Sequence, residues 1–392
     1  MSSNPLTEPC KDALLRRNEV FSTFFAAEIP RLAAACRAMS DRFLAGGRLL
    51  AFGGGSAATD AQHVSVEFVH PVIVGKRALP ALDLSLDSEA RVPVIARPAD
   101  MVLGFSFADQ APAAERTLRA ARDRGALTFA LSGPAADFCF SQPDRDPFVC
   151  QEVFELLYHM LWETVHVFFE HREQGHEVGA SAFLYPFLGN STQRLEQVEA
   201  EVQDSMRQKV AEVNRMRSAA ADSEADGMVV LAAAIRERLA RGGTLIAFGN
   251  GGSATDANDL ALDCAAPPPG WTPIPAISLA AEPANLTAIA NDIGADAIFS
   301  RQLIAHARPE DVAVAISTSG NSANIVDALA EARRRGLLTV GIAGYDGGAL
   351  VRDRLVDHAV VVRSDYIPRI QEVQASIYHV LRGILQGAEG ET

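Results

Sequence analysis

The chain repeats itself, and a repeated chain must build one fold twice. The segment GGRLLAFGGGSAATDAQH at 46–63 returns 196 residues later as GGTLIAFGNGGSATDAND at 242–259, and VCQEVFELLYHML at 149–161 returns 220 residues later as RIQEVQASIYHVL at 369–381. Two blocks recurring in the same order mark an internal duplication. It resolves the 392 residues into two domains of ordinary size. The expected boundaries are 1–173 for the first domain, a linker at 174–191 where HREQGHEVGASAFLYPFLGNS breaks helical periodicity with Gly, Pro and Ser, and 192–392 for the second. The growth in separation makes the first copy 24 residues shorter: 15 are missing opposite ANLTAIANDIGADAIFSRQL (284–303) and 9 before the closing helix.

In each copy a short apolar run, RLLAFG (48–53) or TLIAFG (244–249), enters a glycine turn and then a helix beginning near Asp60 or Asp256. Strand, glycine turn and helix open an α/β unit. Further continuous apolar runs, such as DMVLGFS and LTFALSG in the first copy and DVAVAIS and LTVGIAG in the second, alternate with amphipathic stretches such as ERTLRAARDRG and IVDALAEARRRG. This pattern predicts an α/β fold in which each copy is a parallel sheet with helices on both faces and long flanking helices. The closing helices are expected at about 149–172 and 369–387.

Composition narrows the function classes. A net charge of −14 opposes a nucleic-acid footprint, which needs clustered basic residues, and the short run ARRRG (332–336) reads as the solvated C-terminal turn of a helix. No run approaches the roughly 20 apolar residues of a membrane span. The first residues carry charges and no apolar core of a secretory signal, so the expected location is cytoplasmic. Five cysteines without CxxC spacing suggest neither a disulfide framework nor a zinc ribbon.

Two groups of residues carry chemistry. The loop ISTSGNSAN (316–324) places Ser317, Thr318, Ser319 and Ser322 between a strand and a helix N-terminus. Hydroxyls and backbone N–H groups there suit a phosphate, although the same residue types also serve as ordinary caps and turns. The first copy reads FSFADQAPA (105–113) at this place. In the second group, His63 and Glu67 lie four apart on one helix face, and Gln151 and His159 lie eight apart on another. If the helices meet, these four suit a divalent metal with an open position; singly, a His–Glu pair on a helix is more often a surface ion pair.

The succession GNGGSATDA (249–257), ANDIGADAIFSRQ (290–302), ISTSGNSANIVDAL (316–329) and RIQEVQASIYHVL (369–381) resembles the phosphoheptose isomerases of the sugar isomerase (SIS) domain class, covering nearly all of the second copy and the two ends of the first. The resemblance implies two tandem SIS-type domains and a sugar phosphate ligand. It also implies aldose–ketose isomerisation of sedoheptulose 7-phosphate and a divalent metal, zinc. Family subunits assemble as tetramers with sites near their interfaces, so two tandem chains would form a homodimer holding four SIS domains. By position, Asn250 and Ser253 lie towards the sugar-phosphate end, Ser317, Thr318, Ser319 and Ser322 surround the phosphate, and Asp292 and Gln371 complete the substrate set. His63, Glu67, Gln151 and His159 take the metal positions; Glu67 is the expected base and His159 the partner acid, or His379 in its place.

Neither copy matches the family throughout. The second has Asp259 and Asp263 where the first keeps His63 and Glu67, and the first lacks the serine loop. Two readings therefore stand beside an isomerase with a composite site. One is a phosphosugar-binding or regulatory protein with a metal in the first domain. The other is a dinucleotide binder, suggested only by the turn GGGSAA (53–58).

Overall fold

The computed structural model describes residues 4–73, 76–107, 111–133, 136–173 and 195–387. The expected linker at 174–191 lies outside these residues. Two compact units emerge: Glu19–Glu212, and Val213–Thr392 joined by the chain up to Asn18. Each unit thus includes part of two long helices, α1 (Thr7–Leu44) and α6 (Leu195–Ala240). Among the described residues no helix is long and apolar enough to cross a membrane.

The unit Glu19–Glu212 is built on five parallel strands: β1 (Leu49–Gly53), β2 (Ala81–Asp83), β3 (Met101–Phe105), β4 (Leu127–Leu131) and β5 (Phe138–Phe140), in the spatial order β2-β1-β3-β4-β5. β1 pairs with β3 from Leu49↔Met101 to Gly53↔Phe105. Both strands are buried along their whole length, as continuous apolar runs covered on both faces must be. Its helices are α2 (Ala57–Val69), α3 (Ser88–Ile95), α4 (Ala111–Asp123) and α5 (Pro147–Glu173). Leu50, Phe52, Val102, Leu118 and Ala121 form part of the core between sheet and helices.

The other unit has β6 (Leu245–Phe248), β7 (Ala276–Ser278), β8 (Val312–Ser317), β9 (Leu338–Gly344) and β10 (His358–Val362), in the order β10-β9-β8-β6-β7. Read from β7, that is the order of the first sheet. Its helices are α7 (Gly252–Ala265), α8 (Pro283–Asp292), α9 (Ser300–His306), α10 (Ala323–Arg334), α11 (Gly348–Arg352) and α12 (Ile367–Gln386). Ile246, Phe248, Ala313, Ile325 and Leu329 lie in its core.

The duplication extends to single hydrogen bonds. Asp100 accepts from Arg48 N at 2.9 Å, and Asp311 accepts from Thr244 N at 2.8 Å. Thr128 donates from N and Oγ1 to Asp137, and Thr339 does so to Asp357. The two deletions also find their places. Between β2 and β3 the first copy has α3, where the second has α8, a 3₁₀ turn at Ala295–Ala297 and α9. The second gap falls between β4 and β5, opposite α11.

Candidate functional site

In both repeats the first strand ends at a glycine because the next helix begins against it. A Cβ on Gly53 would lie 2.8 Å from Ala58 N, and one on Gly249 would lie 2.6 Å from the carbonyl carbon of Ser253. Such contacts admit only glycine. The close turn sets the direction of α2 and α7 and hence of the side chains they carry inward.

In the unit Glu19–Glu212, α2 packs on α5 and buries His63 and Glu67 against Gln151, Glu155 and His159 of α5, each at most 3% exposed. His63, Glu155 and His159 offer ligand atoms that all lie within 4.8 Å of one another. Glu67 Oε1 stands 3.8 Å from His63 Nε2. The Tyr158 hydroxyl lies 3.0 Å from His63 Nδ1, which directs Nε2 to the opposite side of the ring. Two imidazoles and two carboxylates in a buried pocket are a donor set that fits zinc, with Gln151 on the same α5 face.

Glu155 is the ligand-type residue that reading the repeats missed. Its signal is in the sequence: Gln151, Glu155 and His159 fall at four-residue steps along one face of α5. The second repeat has Ala375 at the corresponding place, which hid it from a comparison of the two copies.

In the other unit the serine loop leaves β8 and turns into α10. Gly320 has φ +63°, and a Cβ there would lie 2.8 Å from the carbonyl carbon of Gly347. Gly320 N donates to Ser317 Oγ at 3.1 Å, and Asn321 N donates to Ser319 Oγ at 3.3 Å. Ser322 is the N-cap of α10, yet its side chain makes no capping hydrogen bond. Thr318, Ser319 and Ser322 are half-buried on the loop that leads into the N-terminus of α10, where hydroxyls and unpaired N–H groups suit an anion.

Asn250, exposed on the turn after β6, forms a reciprocal amide pair with Asn324 in the first turn of α10, at 2.9 and 2.8 Å. Ser253 is buried at the start of α7. Asp292 sits exposed at the end of α8, accepting from the Asn291 amide at 2.7 Å.

The places of the metal-type residues hold a different set here. Asp259 and Asp263 of α7 and His379 of α12 are all buried, with His379 Nε2 at 3.3 Å from Asp259 Oδ2 and 3.1 Å from Asp263 Oδ2. Tyr378 donates to Asp259 Oδ2 at 3.0 Å, and Arg382 Nε donates to the main-chain oxygen of Asp263 at 3.2 Å. Burial, with the Asp259 charge beside it, pushes the Asp263 carboxyl up to about 7.

Residues 209–344 match the SIS domain family. A phosphoheptose isomerase of Solidesulfovibrio magneticus is 46% identical over 149 residues, 36% of this chain and 69% of the relative. One of Rhodospirillum rubrum is 40% identical over 171 residues, 43% of this chain and 87% of the relative. The chain belongs to the phosphoheptose isomerase family. The fold is shared more widely. The tagatose-6-phosphate ketose/aldose isomerase of Escherichia coli superposes with a TM-score of 0.61 at 13% identity, covering 100% of this chain and 97% of the other. The C-terminal domain of glucosamine-fructose-6-phosphate aminotransferase from Francisella tularensis gives 0.60 at 10%, covering 96% and 95%.

As a member of the phosphoheptose isomerase family, the chain divides the expected residues between its units. His63, Glu67, Gln151 and His159 are buried on two packed helices of one. Ser317, Thr318, Ser319 and Ser322 share the loop before α10 in the other. There Gln371 and His379 are both buried on α12.

Proposed function

We propose that the chain is an aldose–ketose isomerase acting on a phosphorylated sugar, with sedoheptulose 7-phosphate as substrate. The observation that supports this most is the buried set of His63, Glu67, Glu155 and His159, four proton-transfer or ligand groups gathered on two packed helices of a phosphoheptose isomerase relative. Ser317, Thr318, Ser319 and Ser322 bind the phosphate through their hydroxyls and the N-terminus of α10, while Asn250, Ser253 and Asp292 orient the sugar. Glu67 moves the proton between adjacent carbons and His159 protonates the oxygen, with His379 as the second repeat's counterpart. His63, Glu67, Gln151 and His159, joined by Glu155, would hold the zinc, which supplies polarisation of the carbonyl when bound. The two sets belong to different repeats, so turnover depends on residues of both.

Asp259 and Asp263 in place of a His and a Glu favour a second reading, a phosphosugar-binding regulator with its metal in the first repeat. Conversion of sedoheptulose 7-phosphate by purified protein, with and without chelator, separates the two. Chelator-sensitive turnover that falls by about 10²–10⁴-fold in Glu67→Gln is expected. Turnover unchanged in that variant would refute the role of Glu67; no turnover, with the sugar phosphate still raising the melting temperature, would establish the regulator. The same preparation tests the proposed cytoplasmic homodimer by light scattering, which should give twice the 41.8 kDa chain mass.

A further inference from the structure

We propose that Asp259, Asp263 and His379 form a second metal centre that takes a hard divalent cation, manganese(II) or magnesium(II), unlike the imidazole-rich set of the first repeat. The three side chains offer ligand atoms all within 4.8 Å of one another, and each is at most 3% exposed. Two ligands of one such ion, bound at about 2.1–2.2 Å, stand no more than about 4.4 Å apart, so the observed group needs only a slight contraction. Both departures from the first repeat, His63 to Asp259 and Glu67 to Asp263, put another metal-ligand type in place rather than an apolar residue. The set becomes two carboxylates and one imidazole, which moves its preference from zinc towards harder, oxygen-seeking ions.

An independent observation points the same way. Gln371 lies on the His379 face of α12, two turns earlier; it is 3% exposed, and its Oε1 accepts no hydrogen bond. A buried amide oxygen without a donor costs free energy that a cation would offset. The surroundings orient the ligands. Tyr378 holds Asp259, and the Arg382 guanidinium is turned to the main-chain oxygens of Asp263 and Thr272, at 3.2 and 2.7 Å. A divalent ion at this place would hold both carboxyl groups in their ionised form, which burial and their mutual repulsion otherwise oppose.

The test is manganese occupancy of the full-length protein, read from the electron paramagnetic resonance of free Mn²⁺ after chelator treatment and reloading with one equivalent of zinc. One further Mn²⁺ per chain is expected. Asp263→Asn should weaken it by at least about 10–100-fold, while His63→Ala leaves it in place. Because Asp263→Asn could disturb folding, circular dichroism and the milder Gln371→Leu variant accompany it; Gln371→Leu should weaken binding without loss of helix. Absence of Mn²⁺ binding at millimolar concentration in folded wild-type protein would overturn the proposal, as would full occupancy in folded Asp263→Asn. Occupancy is read without turnover, so failure of the isomerase reading and failure of this one are separate results.

Discussion

Replacing Gly320 by alanine tests whether the serine loop is held in shape by the backbone beneath it. Two costs add. An L-residue at φ +63° loses about 1–2 kcal/mol, and the new Cβ would meet the carbonyl carbon of Gly347 at 2.8 Å, where ordinary contact begins near 3.4 Å. Relief requires one of two backbone segments to shift, an overpacking cost of about 1–3 kcal/mol. Gly242 supplies the control, because it too has positive φ, +82°, but nothing lies within 4 Å of its would-be Cβ. The difference between the two variants isolates the clash, about 2 kcal/mol. For a domain of about 200 residues this corresponds to about 4–8 °C in melting temperature, measured by calorimetry on the full chain. Gly320→Ala should also lose the stabilisation that sugar phosphate gives, and Gly242→Ala should keep it. Equal melting temperatures, or an undiminished ligand shift in Gly320→Ala, would refute the close approach of the loop to Gly347.

Ser322→Ala should leave the melting temperature within about 1–2 °C, since the hydroxyl makes no cap bond, yet weaken sugar-phosphate binding about 5–10-fold by calorimetric titration. A stability loss without a binding loss would make Ser322 a cap only. Glu155→Ala, which copies the second repeat's Ala375, should lower zinc affinity at least about 10–100-fold in competition with a chromophoric chelator. In metal-free protein the raised Asp263 value has a definite sign. The folded state holds a proton that the unfolded chain has released, so this group's contribution to stability is full below about pH 4 and is lost as pH rises towards 7. Denaturant titrations from pH 4 to 8 should show that decline in wild-type protein and a shallower one in Asp263→Asn.

The duplication and its 196- and 220-residue separations carried the architecture, because β1 and β6 are buried on both faces and tolerate only apolar residues. The missing lengths were legible too, since a deletion changes the spacing of everything after it. Site residues were less evenly visible. The serine loop announces itself through four hydroxyls around one glycine, and His63 with Glu67 through a four-residue step. Glu155 stands at the same four-residue step between Gln151 and His159, and is passed over when the repeats are compared because its counterpart in the second is Ala375. Asp292 matched by sequence alone; where it sits depends on how α8 ends, and it ends in solvent. Arg382 gave no signal either. It stands where the first repeat has Trp162, and only the packing of α12 brings it to the Asp263 main chain.

The paired amides of Asn250 and Asn324 tie the turn after β6 to the first turn of α10, each side chain acting as both donor and acceptor to the other. Such a pair behaves as a reversible clasp. Without ligand it keeps two loops from different strands at one spacing, so little backbone ordering is left for binding to impose. A sugar hydroxyl can exchange for either amide one hydrogen bond at a time, because a hydroxyl also donates and accepts. In the sugar site proposed above, the clasp would fix the spacing of these two loops, and its removal should widen the range of sugars admitted before it weakens the grip on any one of them.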